Sequence, residues 1–186
     1  PELKPWPYDP AKAKSLLSQY GKPVSVEMVI ESSNYFPKGK DLAEAVASFM
    51  RDVGITTQIR YVEFGAWLQE LMINPGDDIS KRPYMMISRH NNTLFDSDRT
   101  ISTIFHSGTS QSTYTDAEID SMIDAARTEM DAQKRLKLYQ DAWKKINDNA
   151  WALPFLHYDE IYGLSPRLDW KPRIDQRVIL TEMTLK

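Results

Sequence analysis

No cysteine occurs among the 186 residues, which excludes disulfide staples, thiolate metal sites and a cysteine nucleophile. Glycine is scarce, at seven, and none falls in a P-loop, GxGxxG or GxSxG pattern, so neither a phosphate cradle nor a nucleophile elbow is encoded. The three histidines, His90, His106 and His157, lie far apart without HExxH or any other metal spacing. A basic surplus is missing as well. Against 26 Asp and Glu stand 23 Lys and Arg, a formal charge of −3, with no cationic stripe of the kind nucleic acid requires. No apolar run approaches the ~20 residues that cross a bilayer, and the opening Pro1-Glu2-Leu3-Lys4-Pro5 lacks the basic-then-apolar order of a signal peptide. With no nucleophile–base pair to assemble, the chain is expected to be no enzyme and to carry no metal or cofactor.

What is present suits one globular α/β unit: 41% hydrophobic and 11% aromatic residues can bury a real core. Asp9-Pro10 starts a helix with an Asp cap and Pro in the first turn, its apolar face being Ala13, Leu16, Leu17 and Tyr20, and Gly21 stops it. Val24, Val26, Met28 and Ile30 mark a strand, Lys40–Val53 a helix closed by Gly54, and Ile55–Tyr61 a second strand. Strand, helix, strand in that order predicts parallel pairing with a right-handed crossover. A short helix opens at Glu63–Leu68 and ends in a loop at Asn74–Asp78. Tyr84–Ile87 is a third, wholly apolar strand, as a buried parallel strand should be.

Two long helices follow, near Asp116–Met130 and Ala132–Asn149, lined by Ile119, Met122, Ile123 and Ala126 and by Leu136, Tyr139, Trp143 and Ile146. Short strands are expected at Leu153–Leu156, Ile161–Leu164 and Val178–Leu185. They would make the sheet mixed, parallel in its Val24–Ile87 portion, with helices on both faces.

In an α/β sheet, ligands gather beyond the carboxyl ends of parallel strands. The loop His90 to Asp98 leaves such an end, and Asn91, Asn92 and Thr93 offer uncharged donors and acceptors there. The same residues could instead cap the following helix and satisfy a turn. Trp67 reads more readily as core, and His157, past an apolar strand, could reach the cleft or be structural.

The stretch Tyr114-Thr115-Asp116-Ala117-Glu118-Ile119-Asp120, then Ala126-Arg127, Asp131-Ala132-Gln133-Lys134-Arg135, Leu138-Tyr139 and Ala152-Leu153-Pro154, resembles the closing helices of the family 5 extracytoplasmic solute-binding proteins of ABC importers. Tyr8-Asp9-Pro10-Ala11-Lys12-Ala13 resembles the segment just before the C-terminal lobe of that family. The resemblance covers nearly the whole chain and implies the C-terminal lobe of a periplasmic-binding-protein type II fold. It also implies that the chain is a mature or partial form of a longer protein, most of which precedes it. The function implied is capture of a solute outside the cytoplasmic membrane and delivery to a membrane permease, by a periplasmic or membrane-anchored monomer.

In peptide-binding members the loop matching 90–98 carries an Asp for the ligand's α-amino group. Setting Asp96-Ser97-Asp98 on the family's acidic segment puts His90 and Thr93 where a Trp and that Asp stand. The substitution points to a neutral, hydroxyl-rich ligand such as an oligosaccharide first, a peptide second and a metal chelate third. The resemblance also sets Phe64, in Val62-Glu63-Phe64, where the family often carries an aromatic facing the cleft, which can stack on a sugar ring or apolar side chain. The expected ligand-binding residues are Phe64, Trp67, His90, Asn91, Asn92, Thr93 and His157. The readings left open are a small α/β hydrolase and an independent protein-interaction domain.

Overall fold

The computed structural model describes residues 3–33, 35–72, 84–112, 114–154, 156–157 and 159–186. The expected loop at Asn74–Asp78 lies outside them, as does Phe155. Helix α1 spans Pro10–Tyr20; the Asp9 side chain accepts the Lys12 N–H, and Gly21 closes the helix at φ 71°, a left-handed conformation that glycine adopts without a Cβ penalty. Of its expected apolar face, Leu16 and Tyr20 are exposed while Ala13 and Leu17 are half-buried. Strand β1 (Val24–Glu31), helix α2 (Gly39–Val53) and strand β2 (Ile55–Val62) form the expected βαβ unit, with β1 and β2 parallel and paired from Val24↔Ile55 to Glu31↔Val62.

Helix α3 (Phe64–Leu71) leads towards β3 (Tyr84–Met86), which pairs parallel with β1 through Val29↔Met86. The order is β2-β1-β3, so β1 is central. Its successive residues Met28, Val29 and Ile30 are all fully buried. Since neighbours on a strand point to opposite faces, both faces of the sheet are covered there. At the start of α2, a Cβ on buried Gly39 would come within 3.0 Å of the Phe36 Cβ; glycine lets the helix settle onto Phe36 and Ile30.

The helical half comprises α4 (Ser97–Phe105), α5 (Ala117–Thr128) and α6 (Ala132–Asp148). Asp96, Asp116 and Asp131 cap them by accepting backbone N–H groups, the expected chemistry at a helix start. Ile101, Phe105, Ile119, Ile123, Ala126, Tyr139, Ala142 and Ile146 form their core. It is distinct from the sheet core of Met28, Val29, Ile30, Phe36, Ala43, Trp67 and Ile87. Leu136, expected on the inner stripe of α6, is instead half-exposed while Ala142 is buried.

The three strands expected after α6 do not form as read. The described residues of 153–156 and all of 161–164 are irregular. Val178–Leu185 becomes a 3₁₀ turn (Leu180–Glu182) followed by the two-residue strand β5 (Thr184–Leu185), antiparallel to β4 (Leu168–Asp169). Among the described residues the main sheet is therefore all-parallel, and the antiparallel pair stands apart. Apolar residues alone do not make a strand; an adjacent edge must accept its backbone.

Candidate functional site

The parallel register delivers residues from three strands to one edge. Val29, Arg60 and Met86 form one paired row; three residues further along each chain stand Ser32, Glu63 and Arg89. Ser32 N–H donates to the Val62 carbonyl at 2.8 Å, and its hydroxyl to Glu63 Oε1 at 3.2 Å. The loop leaving β1 is folded onto the buried Glu31 carboxylate, which accepts the N–H groups of Ser33 at 2.5 Å and Tyr35 at 3.0 Å. Both oxygens of a carboxylate taken out of water are thus occupied, as burial of a charge demands.

That loop places Tyr35 at the centre of an aromatic group. Its ring centroid lies 5.1 Å from Phe64 and 5.7 Å from Trp67, while Trp67 stacks on Phe64 at 6.1 Å and meets Phe36 at 6.0 Å. Separations of this size are the favourable range for aromatic pairs. Phe64 is 39% exposed and Trp67 2%, so Phe64 forms the surface and Trp67 the floor beneath it. Helix α3, which carries both, is clamped by Arg60: its guanidinium meets both oxygens of Glu70 at 2.6 Å and Glu27 at 2.8 Å. From the stretch just after β3, the Arg89 guanidinium lies over the Tyr35 ring, 4.5 Å from its centroid, a cation–π contact.

The loop after β3 divides its residues between structure and surface. The Asn92 amide donates to the Asp96 carbonyl at 2.8 Å and to Thr100 Oγ1 at 3.2 Å, so its NH₂ is spent on the turn. Asn91 is exposed, with a 3.4 Å contact to Gln176, and Thr93 is half-buried. His90 is half-buried too. Burial, then the positive charge of Arg99, pushes its pKa down, which keeps the imidazole neutral at pH 7. His157 is exposed, and among the described residues no hydrogen bond or ring contact joins it to this edge.

Sequence reasoning passed over Tyr35 and Arg89, and within the loop His90 to Asp98 it singled out neither Leu94 nor Phe95. Leu94 and Phe95 are about 60% exposed at the loop tip, with Phe95 at φ 54°, a rare conformation for a bulky residue. The positive φ and the Tyr35–Arg89 stack are tertiary facts with no local signature.

Orphaned polar atoms concentrate at this edge. Among the described residues, five buried side-chain N or O atoms lack a partner; four are Trp67 Nε1, Arg89 Nε, His90 Nε2 and Asn92 Oδ1. Buried polar groups are nearly always paired, so a cluster of unpaired ones beside exposed aromatic faces marks a surface suited to a ligand. In the cavity of about 460 Å³ under the same loop, four of the charged lining residues pair as Asp96–Arg135 at 3.0 Å and Asp98–Arg127 at 3.4 Å, and Arg99 lines it as well.

Residues 1–112 match the family model described as bacterial extracellular solute-binding proteins, family 5, middle region. The chain belongs to that family. Its relatives include di/tripeptide-binding protein 3 of Pseudomonas aeruginosa, 25% identical over 83% of this chain and 29% of its own length. The glutathione-binding protein GsiB of Salmonella choleraesuis is 26% identical over 76% of this chain and 29% of its own. The chain thus spans under a third of the length of these relatives. The solved structure of HbpA2 from Haemophilus parasuis superposes over 100% of this chain and 37% of its own with a TM-score of 0.77 at 19% identity. The fold is accordingly that of a lobe of a type II periplasmic binding protein.

Proposed function

We propose that this chain is the C-terminal lobe of a longer family 5 solute-binding protein, which captures a peptide-type ligand outside the cytoplasmic membrane and presents it to an ABC permease without chemically altering it. The observation that carries this reading is the carboxyl edge of β2-β1-β3, where exposed Phe64, Tyr35 and Arg89 meet beside the orphaned polar atoms of His90 and Asn92. An aromatic face, a cation and a few convergent hydrogen-bonding groups suit a small solute. The matched relatives named for di- and tripeptides and for glutathione favour peptides over the oligosaccharides that the uncharged Asn91-Asn92-Thr93 run suggests, and the NH₂ of Asn92 is already spent within its turn.

Phe64, His90, Asn91 and Thr93 are the ligand-facing residues in this reading, with Trp67 supporting Phe64 from below and Asn92 shaping the loop. His157 joins them only through the rest of the longer chain. Exposed apolar residues late in the chain, Ile161, Ile174, Leu180 and Leu185 among them, are the surface that the remainder of such a protein would cover. The protein acts as a monomer, in the periplasm or anchored outside the cell membrane; no described helix is long and apolar enough to cross a membrane.

Two lobes closing by a hinge share their ligand contacts. Calorimetry is therefore expected to show binding of di- or tripeptides by the full-length protein and little by residues 1–186 alone. Equal affinity of the two forms would refute the half-site reading, and a thermal shift with saccharides but none with peptides would replace the ligand class.

A further inference from the structure

Arg89 lies in a setting that a resting guanidinium rarely occupies. Its Nε is buried and without a partner, and among the described residues no carboxylate pairs with it. The two acids on the same edge are engaged elsewhere: Glu31 holds the Ser33 and Tyr35 amides, and Glu63 accepts from the Ser32 hydroxyl. The Arg89 Cζ lies over the Tyr35 ring, 4.5 Å from its centroid, and the Tyr35 and exposed Phe64 ring centroids are 5.1 Å apart. Arginine has five N–H donors in a rigid fork that matches a carboxylate. Stacking on a ring holds that fork without using its donors, and the low-dielectric aromatic neighbourhood strengthens any anion it meets. Neighbouring His90, neutral at pH 7 with its Nε2 also unpaired, adds a polar group but no competing positive charge.

We propose that Arg89 anchors the carboxylate of the bound solute, so that this lobe selects ligands with an anionic end and orients that end towards β3, away from Phe64. Tyr35 is the positioning residue: its ring fixes the guanidinium plane, and the Glu31 carboxylate fixes the Tyr35 backbone. The proposal rests on the peptide-type reading only for the nature of the molecule, since a carboxylate on another scaffold would meet the same fork.

The test compares matched acids and neutral derivatives in the full-length protein by calorimetry: trialanine against trialanine amide, and digalacturonic acid against its methyl ester. Wild type should prefer the acid of whichever pair binds. Arg89→Gln should weaken that acid roughly 10- to 100-fold, the loss expected for a charge-assisted hydrogen bond, and leave the neutral partner within a few-fold. Arg89→Lys, which keeps the charge and loses the fork, should fall between. Far-UV circular dichroism and the unliganded melting temperature check that each variant folds. Acid preference in the sugar pair alone sustains the Arg89 anchor and overturns the peptide reading. Equal loss for acid and neutral probes, no loss for either, or binding of none of the four overturns the anchor.

Discussion

Trp67 offers the sharpest test of how this edge is built, because its ring could be a ligand wall or a core support. At 2% exposure, packed on Phe36 and Tyr35 and stacked under Phe64, it should behave as core. Trp67→Ala is expected to cost ~3–5 kcal/mol, the range for deleting a large buried aromatic. That is a large share of the ~5–15 kcal/mol that holds a domain folded. Trp67→Phe separates two effects. The smaller ring forfeits packing, but it also removes Nε1–H, which is buried without an acceptor, a state that costs ~1–3 kcal/mol. These oppose each other, so the net loss should stay under ~1.5 kcal/mol. Urea denaturation of the full-length protein, followed by far-UV circular dichroism rather than by the indole emission the variants alter, gives both numbers. A loss below ~1 kcal/mol for Trp67→Ala would show that the ring is not a core element. Equal losses for the two variants would show that the N–H is satisfied and that the orphaned-atom reasoning fails at this position.

Asp116 caps α5 by accepting the Glu118 and Ile119 N–H groups and pairs with Lys145 at 2.9 Å. Asp116→Ala should cost ~1–2 kcal/mol, chiefly as a lost cap, measured by thermal melting. Lys145 first, then the backbone N–H donors, pulls its pKa below the ordinary 3.8. Its contribution is therefore complete above pH ~4 and is lost as pH falls through the lower folded value, and the variant should show a flatter acid limb. His90 has the opposite protonation preference to a salt-bridged histidine: burial lowers its pKa from 6.5, so the unfolded chain takes up a proton first. Stability should decline as pH drops below about 6.5, and His90→Asn should remove that component; an unchanged pH profile between 5 and 7 would refute its burial as a neutral ring.

Much of the fold was legible because its signals are local. The Asp9-Pro10 start and Gly21 stop of α1, the start of α5 near Asp116, and the strand, helix, strand order between Val24 and Tyr61 each depend on a few neighbouring residues, and the structure reproduces all of them. The same locality explains the misses. Leu153–Leu156, Ile161–Leu164 and Val178–Leu185 have strand-like composition, but a strand needs another edge for its backbone, and the sequence does not say whether one is near. Leu136 and Leu16 lie on sound amphipathic stripes yet remain exposed, because burial depends on what the stripe faces.

At the candidate site the division is the same. Its place, beyond the carboxyl end of β3, follows from the order of strands and helices alone, and Phe64 was marked only by the family resemblance. The meeting of Tyr35, Phe64 and Arg89 was not, because these residues lie up to 54 positions apart and converge only when β1, β2 and β3 pair in parallel with Val29 opposite Arg60 and Met86. Composition and spacing determined the helices, the caps and the parallel strands. Strand register, which a single-residue slip would invert, decided which side chains share the edge and which polar atoms there are left without partners.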